Sequence, residues 1–396
     1  MMRIALFTDT YYPQINGVAT SIMILEKYLA KRGHEVFIFT SSDSQADLLK
    51  ESGKVFRFRS LGAIFVPERR LAIAGLYRAS HLIEELGIDV IHTHTEFSMG
   101  FMGKLLAKKY HLPCIHTYHT MYKDYLHYIA KGKLITPSMV GAFSRLFCKR
   151  TFAVIAPTEK VKKQLETYQI NEQIRTIPTG IDFERFRRRF NYSEVNQTIR
   201  SQLGINQSDK VLLSVGRIAI EKNMRAIILA MPELVKKQPH VKLVMVGDGP
   251  AKKELVALTK QLNLTSNILF TGAVRWDDIH MYYHMADIFV SASTSETQGL
   301  TYIEAIASNL LVVAKDDICI KDMLIHKKTG FLFQEDHQLA TLLDQIMTKT
   351  SEISLIKKQA RRQIEHLSAT HFANHIEQLY SEAVQIYSPQ PSRMFS

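Results

Sequence analysis

With 396 residues, 46% of them hydrophobic and 22% charged, the chain has enough apolar material for two globular cores and too much for an intrinsically disordered protein. Its three cysteines, Cys114, Cys148 and Cys319, are scattered without C-x-x-C spacing, which argues against a disulfide framework or a cysteine-based zinc site and suits a reducing cytoplasm. The net charge of +12 is concentrated, since residues 101–200 hold 18 Lys+Arg against 7 Asp+Glu. A basic surface of that kind attracts an anionic substrate or an anionic membrane. Nucleic acid is not expected, because no recognisable binding motif accompanies the charge. The opening Met-Met-Arg runs straight into Ile4-Ala5-Leu6-Phe7-Thr8, too short an apolar run for a signal peptide. No apolar stretch approaches the roughly 20 residues of a membrane span.

Along the chain, apolar runs with strand character alternate with amphipathic runs, the pattern of a parallel doubly wound sheet. In the first half, strands are predicted at residues 4–8, 35–39, 55–59, 90–93, 114–117 and 153–156, with helices at 17–31, 71–86, 100–110 and 159–168. Residues 184–207 are polar, with Arg187, Arg188 and Arg189 in series, and look like a passage between halves. The pattern restarts with strands at 210–216, 241–246, 267–271, 287–291 and 311–314 and helices at 223–238, 251–262, 277–284 and 299–308. One long helical region is predicted over 351–387, before a short tail with Pro389 and Pro391. The organisation expected is a Rossmann-like domain over 1–185, a linker over 186–209, a second Rossmann-like domain over 210–370, and a C-terminal helix and tail over 371–396 packing back on the first domain. Open parallel sheets bind ligands at the carboxyl ends of their strands, so two such domains facing each other place the expected site in the cleft between them.

Four segments sit at predicted strand ends. Thr8 to Gly17 leads from the first strand into a helix, and Gly17 lets backbone approach a ligand closely. In Gly216-Arg217-Ile-Ala-Ile-Glu221-Lys222-Asn223, two fixed cations follow a strand and suit a diphosphate. The third, Gly247-Asp248-Gly249-Pro250, is a weak signal that tight-turn duty alone would explain. The fourth holds Glu296 and Glu304, one before a helix N-terminus and one inside its second turn. That spacing suits two hydroxyl clusters of a sugar nucleotide whose phosphates face the helix N–H groups around Gly299 and Leu300; a loop Glu and a solvated helix Glu are the plainer alternative. Neither G-x-G-x-x-G nor a Walker loop appears in full, which argues against dinucleotide oxidoreductases and P-loop kinases.

Taken together, Gly216 to Asn223, Val246 to Pro250, Thr179-Gly-Ile-Asp182 and Glu296 to Glu304 resemble the retaining glycosyltransferases of family 4, which have the GT-B fold; the resemblance covers about residues 3–385. It implies that Arg217 and Lys222 hold the diphosphate, with Gly17, Gly216, Gly247 and Gly249 close to the donor. It further implies that Glu296 meets the donor-sugar hydroxyls and Glu304 the ribose. Ser308-Asn309-Leu310-Leu311 departs from the family, standing where a helix-ending Gly and a Pro are more usual.

Within the family, His92-Thr-His94-Thr-Glu96-Phe-Ser-Met-Gly100 and the run from His116 through His119 to Ala130 resemble the bacterial members that transfer glucose from UDP-glucose to diacylglycerol. The resemblance makes His119 the active-site histidine that approaches the donor sugar. The four histidines lack an obvious completing carboxylate or cysteine, so a polar network is expected ahead of a metal site. Thr136 and Pro137 read as N-cap and first residue of a helix whose Met139, Phe143 and Phe147 are candidates for lipid contact, with Arg145, Lys149 and Arg150 as cations. Packing of that helix on the first domain is the plainer alternative. Residues 66–70 offer a second basic edge.

The activity implied is glucosyl transfer to 1,2-diacylglycerol by a peripheral protein on the cytoplasmic face of the membrane. The alternative acceptors are an already glycosylated lipid or a soluble saccharide or protein. No essential metal is expected, since cations already occupy the diphosphate's neighbourhood, and magnesium enters only as a stimulant.

Overall fold

The computed structural model describes residues 1–387 apart from 15, 50, 52, 63–69, 73, 123–135, 188–191 and 349–351. The basic edge at 66–70, apart from the Arg70 backbone, together with Arg188, Arg189, the run 123–130 and the proline tail, lies outside the described residues.

The chain forms two compact units, Met1–Gly180 joined by the stretch from Ala369, and Ile181–Ser368. The first unit contains β1 (Arg3–Thr8), α1 (Gly17–Lys31), β2 (Glu35–Ser41), β3 (Val55–Phe58), β4 (Ser60–Gly62), β5 (Arg70–Ala72) and α2 (Leu76–Glu85). It continues with β6 (Val90–Thr93), α3 (Ser98–Tyr110), β7 (Cys114–Thr117), α4 (Pro137–Cys148), β8 (Ala153–Ala156), α5 (Glu159–Thr167) and β9 (Gln173–Thr176). Seven strands form one parallel sheet in the order β3-β2-β1-β6-β7-β8-β9, and β4 and β5 form a separate antiparallel pair.

The second unit contains α6 (Phe183–Phe186), α7 (Tyr192–Gln202), β10 (Lys210–Val215), α8 (Met224–Lys237), β11 (Val241–Val246), α9 (Lys252–Gln261), β12 (Ile268–Gly272) and α10 (Ile279–Met285). Then follow β13 (Ile288–Ser291), α11 (Leu300–Ala307), β14 (Leu311–Lys315), β15 (Phe331–Phe333), α12 (Leu339–Thr348) and α13 (Ile353–Gln363). Its six parallel strands run β12-β11-β10-β13-β14-β15, the 3-2-1-4-5-6 order of a Rossmann sheet. The inner strands are buried on both faces, as helix-covered parallel strands must be; Ile4 to Thr8 and Val211 to Ser214 are all under 3% exposed.

Two expected boundaries change. Residues 181–209 are part of the second unit. Phe186 is buried with its ring edge-on to Tyr283, its carbonyl accepts from His284 Nε2 at 2.8 Å, and Arg200 Nε donates to the Met285 carbonyl at 3.0 Å. The helical region expected over 351–387 is broken: α13 ends at Gln363, a short turn spans Glu365–Leu367, and α14 (Ala369–Tyr387) starts afresh in the first unit. There α14 lies on α1. Glu377 pairs with Arg32 and, at 2.9 Å, with His34, while Tyr380 meets His92 at 2.6 Å. The chain enters and leaves the second unit side by side, where the Ile181 N–H donates to the Leu367 carbonyl at 2.9 Å.

Candidate functional site

In a doubly wound sheet the loops that flank the reversal of strand order diverge and leave a ligand crevice. In the second unit that reversal lies between β10 and β13, and the loops after those strands carry most of the candidate residues. Gly216 ends β10 at φ 147, a conformation that favours glycine. Arg217 Nη1 donates to Glu221 Oε1 at 3.0 Å, and Lys222 Nζ reaches across the reversal to Glu296 Oε1 at 2.8 Å. The Ser295 hydroxyl donates to the Glu221 carbonyl at 3.1 Å, tying the two loops together. Asn223, left-handed at φ 47, starts α8 and donates to Asp336, which also accepts from Lys315 Nζ at 2.7 Å. Both cations are thus held by carboxylates at one strand edge, and Lys222 and Glu296 are each 17% exposed, enough to exchange partners with an incoming anion.

Gly247 and Gly249 serve close backbone approach. A Cβ on Gly247 would sit 1.9 Å from the Gly216 carbonyl oxygen, and one on Gly249 would sit 2.4 Å from that of Ile218. The Gly216 N–H donates to the Val246 carbonyl and the Ile218 N–H to that of Asp248, so the loop after β11 braces the cationic loop after β10.

Gly299 precedes α11 at φ 77, ψ 55, and Leu300 opens the helix. Tyr302 donates to Ser291 Oγ at 2.7 Å and packs under Gly299, where a Cβ would meet its ring at 2.7 Å. Glu304 is buried one turn further on and accepts from the Tyr283 hydroxyl at 2.7 Å. Burial pushes its carboxyl up to about 7, against the opposing pull of the Tyr283 hydrogen bond and of Arg185. A buried carboxylate with an unspent lone pair is a strong acceptor for a diol. The helix ends as a glycine-capped helix does: Asn309 takes φ 62, its N–H donates to the Ile306 carbonyl and that of Leu310 to Ala305. Asn309 therefore supplies the left-handed cap of this helix without a glycine.

In the first unit the reversal lies between β1 and β6. Asp9, at the end of β1, accepts from the Thr95 hydroxyl at 2.6 Å, the Ser98 hydroxyl and the Met99 N–H at 3.1 Å, fixing the loop after β6 and the start of α3. Asn16 caps α1 by accepting from the Ala19 N–H at 3.0 Å, which sets Gly17 as the first residue of that helix. The histidines form a polar network. His92 contacts Tyr380 at 2.6 Å and Thr117 at 2.7 Å, His116 contacts Thr93 at 2.9 Å and Glu96 at 3.2 Å, and His94 contacts His119 at 3.0 Å. Burial holds His92 and His94 well below 6.5, with neighbouring imidazoles adding to the effect. Among the described residues no three His, Cys, Asp or Glu side chains converge as metal ligands.

Helix α4 begins with Thr136 accepting from the Met139 N–H at 3.3 Å and Pro137 as its first residue. Met139, Phe143, Arg145, Lys149 and Arg150 are exposed. Phe147 is not: it is wholly buried against Phe101 and His116, because its face of the helix packs on the sheet. The exposed apolar surface instead takes in Leu146 at 67%, and from α3 Phe101 at 40% and Leu105 at 56%, with the Phe101 and Phe143 rings 6.2 Å apart. The spacing of Phe101 and Leu105 is the sequence signal that places both on one face of α3. Lys104 does not face outward. Its ammonium donates to the carbonyls of Phe147 and, at 2.8 Å, Lys149, capping α4. No helix among the described residues is long and apolar enough to cross a membrane.

Residues 15–185 match the model described as Glycosyltransferase Family 4, and residues 195–363 the model described as Glycosyl transferases group 1. The chain is 39% identical over 383 residues to the alpha-monoglucosyldiacylglycerol synthase of Streptococcus pneumoniae, covering 97% of this chain and 86% of that protein. The chain belongs to the family-4 glycosyltransferases. A second alpha-monoglucosyldiacylglycerol synthase, from Acholeplasma laidlawii, is 31% identical to this glycosyltransferase over 97% of its length and 98% of the relative's. Among solved structures, Anabaena HepE in complex with UDP and glucose matches at TM-score 0.77 and 18% identity over 96% of this chain and all of that one. Sucrose-phosphate synthase from Thermosynechococcus elongatus matches at 0.79 and 20% over 98% and all. These two share the GT-B fold with this family-4 enzyme.

Proposed function

We propose that the enzyme transfers glucose from UDP-glucose to the free hydroxyl of 1,2-diacylglycerol at the cytoplasmic membrane surface, with retention of the α configuration. The donor half is carried by one contact, Lys222 Nζ at 2.8 Å from Glu296 Oε1 across the strand-order reversal, with Arg217 on the same loop. A sugar diphosphate arriving there takes the cations as its own partners and releases Glu296 to the sugar hydroxyls, while Glu304 accepts from the ribose. The bond from sugar C1 to the β-phosphate oxygen breaks, and Arg217 and Lys222 take up the developing charge. The lipid oxygen bonds to C1 on the same face and its proton passes to the departing phosphate. His119 approaches the donor sugar. No protein nucleophile and no essential metal enters this scheme, and magnesium acts only as a stimulant.

The acceptor and product are supported by the Streptococcus and Acholeplasma relatives, which are alpha-monoglucosyldiacylglycerol synthases. The exposed apolar patch of α3 and α4, together with the exposed cations Arg145, Lys149 and Arg150 at the end of the same helix, supports seating on anionic lipid, with roughly 1 kcal/mol per cation near such a surface. The test is a panel of radiolabelled UDP-glucose, UDP-galactose and GDP-mannose against diacylglycerol vesicles, with the product linkage read by NMR. The expected product is α-glucosyldiacylglycerol from UDP-glucose alone, and transfer only to soluble saccharides refutes the acceptor. Arg217→Ala should lower kcat by about a hundredfold or more with folding intact.

A further inference from the structure

The four histidines of the first unit differ in how their ring nitrogens are satisfied. His92 has a hydroxyl against each nitrogen, and His116 lies between Thr93 and Glu96. Among the described residues the His94 ring has one hydrogen-bond partner. Its Nδ1 meets His119 Nε2 at 3.0 Å, while its Nε2 is buried with no hydrogen-bond partner among those residues, in a residue 1% exposed. We propose that His94 is a positioning residue for this glycosyltransferase, donating from Nδ1 to His119 Nε2 and so fixing both the ring and the proton of His119. The inference rests on the assignment of His119 to the donor sugar and deepens it.

The direction of the bond follows from the orphaned nitrogen. Burial keeps His94 neutral near pH 7, so its ring carries one proton. If His119 donated, that proton would sit on Nε2 of His94, leaving a buried N–H without an acceptor. If His94 donates, Nε2 keeps only a bare lone pair. Orphaned buried N–H groups are the rarer and costlier defect, so His94 donates. The His94 ring cannot turn away: its backbone N–H donates to the Phe7 carbonyl at 2.9 Å, and its ring lies 4.0 Å from that of His92, itself pinned at both nitrogens. With Nε2 of His119 filled as an acceptor, a neutral His119 holds its proton on Nδ1. It then works as a hydrogen-bond donor from that edge, and Nε2 is closed to use as a base.

Selective 15N-histidine NMR of the full chain tests this directly. The wild type should show His119 protonated on Nδ1 and bare on Nε2; a protonated His119 Nε2 overturns the proposal. In His94→Leu the tautomer preference of His119 should be lost and kcat should fall by about tenfold or more, with KM for the donor within about twofold. His94→Asn, whose amide N–H donates from near the place of Nδ1, should restore most of kcat. A folded His94→Leu variant that turns over like the wild type also overturns it, and if that variant fails to fold, the wild-type spectrum and the Asn variant decide. Undiminished turnover in His119→Ala would instead sink the assignment of His119, an outcome that leaves the tautomer measurement standing.

Discussion

Glu304 shows what a single side chain's surroundings add to its place in a motif. The E-x7-E spacing was legible in the sequence, but the Tyr283 hydroxyl that faces Glu304 comes from a helix 21 residues upstream and left no signal in the spacing. Nor does spacing reveal that the carboxyl is buried, with burial raising it from 4.5 to about 7. Between those two values the folded, unliganded protein holds a proton that the unfolded chain has released. Its contribution is therefore most favourable below about pH 4.5 and is lost as pH rises through 7, a loss on the order of 3 kcal/mol. Glu304→Gln keeps an acceptor for Tyr283 and removes the titration. Calorimetry should find the variant melting above wild type at pH 8 and close to it at pH 5; an equal gap at both values would show that the carboxyl is not titrating there. If ribose hydroxyls donate to the carboxylate, UDP binding should release a proton, so affinity should rise between pH 6 and 7.5.

At the scale of the element, helix α4 was visible because Thr136-Pro137 is a strong start signal, but its facing was not. Met139, Val140, Phe143, Leu146 and Phe147 share one apolar stripe about 120° wide, so periodicity alone could not say which edge of the stripe turns inward. The sheet decides: Val140 and Phe147 pack on it, and Met139, Phe143 and Leu146 are left outside beside Phe101 and Leu105 of α3. The strand β9 was missed for a related reason, since Gln173–Thr176 is an edge strand with Ile174 as its one aliphatic residue. Exchanging Met139, Phe143 and Leu146 together for Ser should leave the melting temperature nearly unchanged, because exposed positions away from special features carry little stability. It should weaken sedimentation with anionic vesicles at low salt by at least about tenfold. Phe147→Ser should do the opposite, destabilising the first unit by about 3 kcal/mol or more. Vesicle binding by the triple variant equal to wild type would remove α4 from the membrane-facing surface.

Across the whole molecule, the C-terminal segment completes the first unit after the chain has built the second. The sequence pattern carried the expectation of a C-terminal helix near residue 371 but not the break before Ala369, because apolar periodicity resumes within a turn of the short Glu365–Leu367 segment. Helix α14 buries Phe372, Ile376, Leu379 and Tyr380, and each such side chain contributes about 1.5 to 3 kcal/mol on leaving water. Together that is roughly 6 to 12 kcal/mol, as large as the whole stability of an ordinary domain. Loss of Tyr380 also strips the hydroxyl from His92, the ring that lies against His94. A chain ending at Ser368 should therefore keep a folded second unit and lose the first. Hydrogen exchange followed by mass spectrometry should find β10, β11, β13 and β14 protected as in the full chain, while β1, α1 and β6 exchange at rates approaching those of an unfolded chain. Unchanged protection in β1 and β6 would mean that the first unit stands without α14. Exposure of all the strands at once would mean that the two units fold only together.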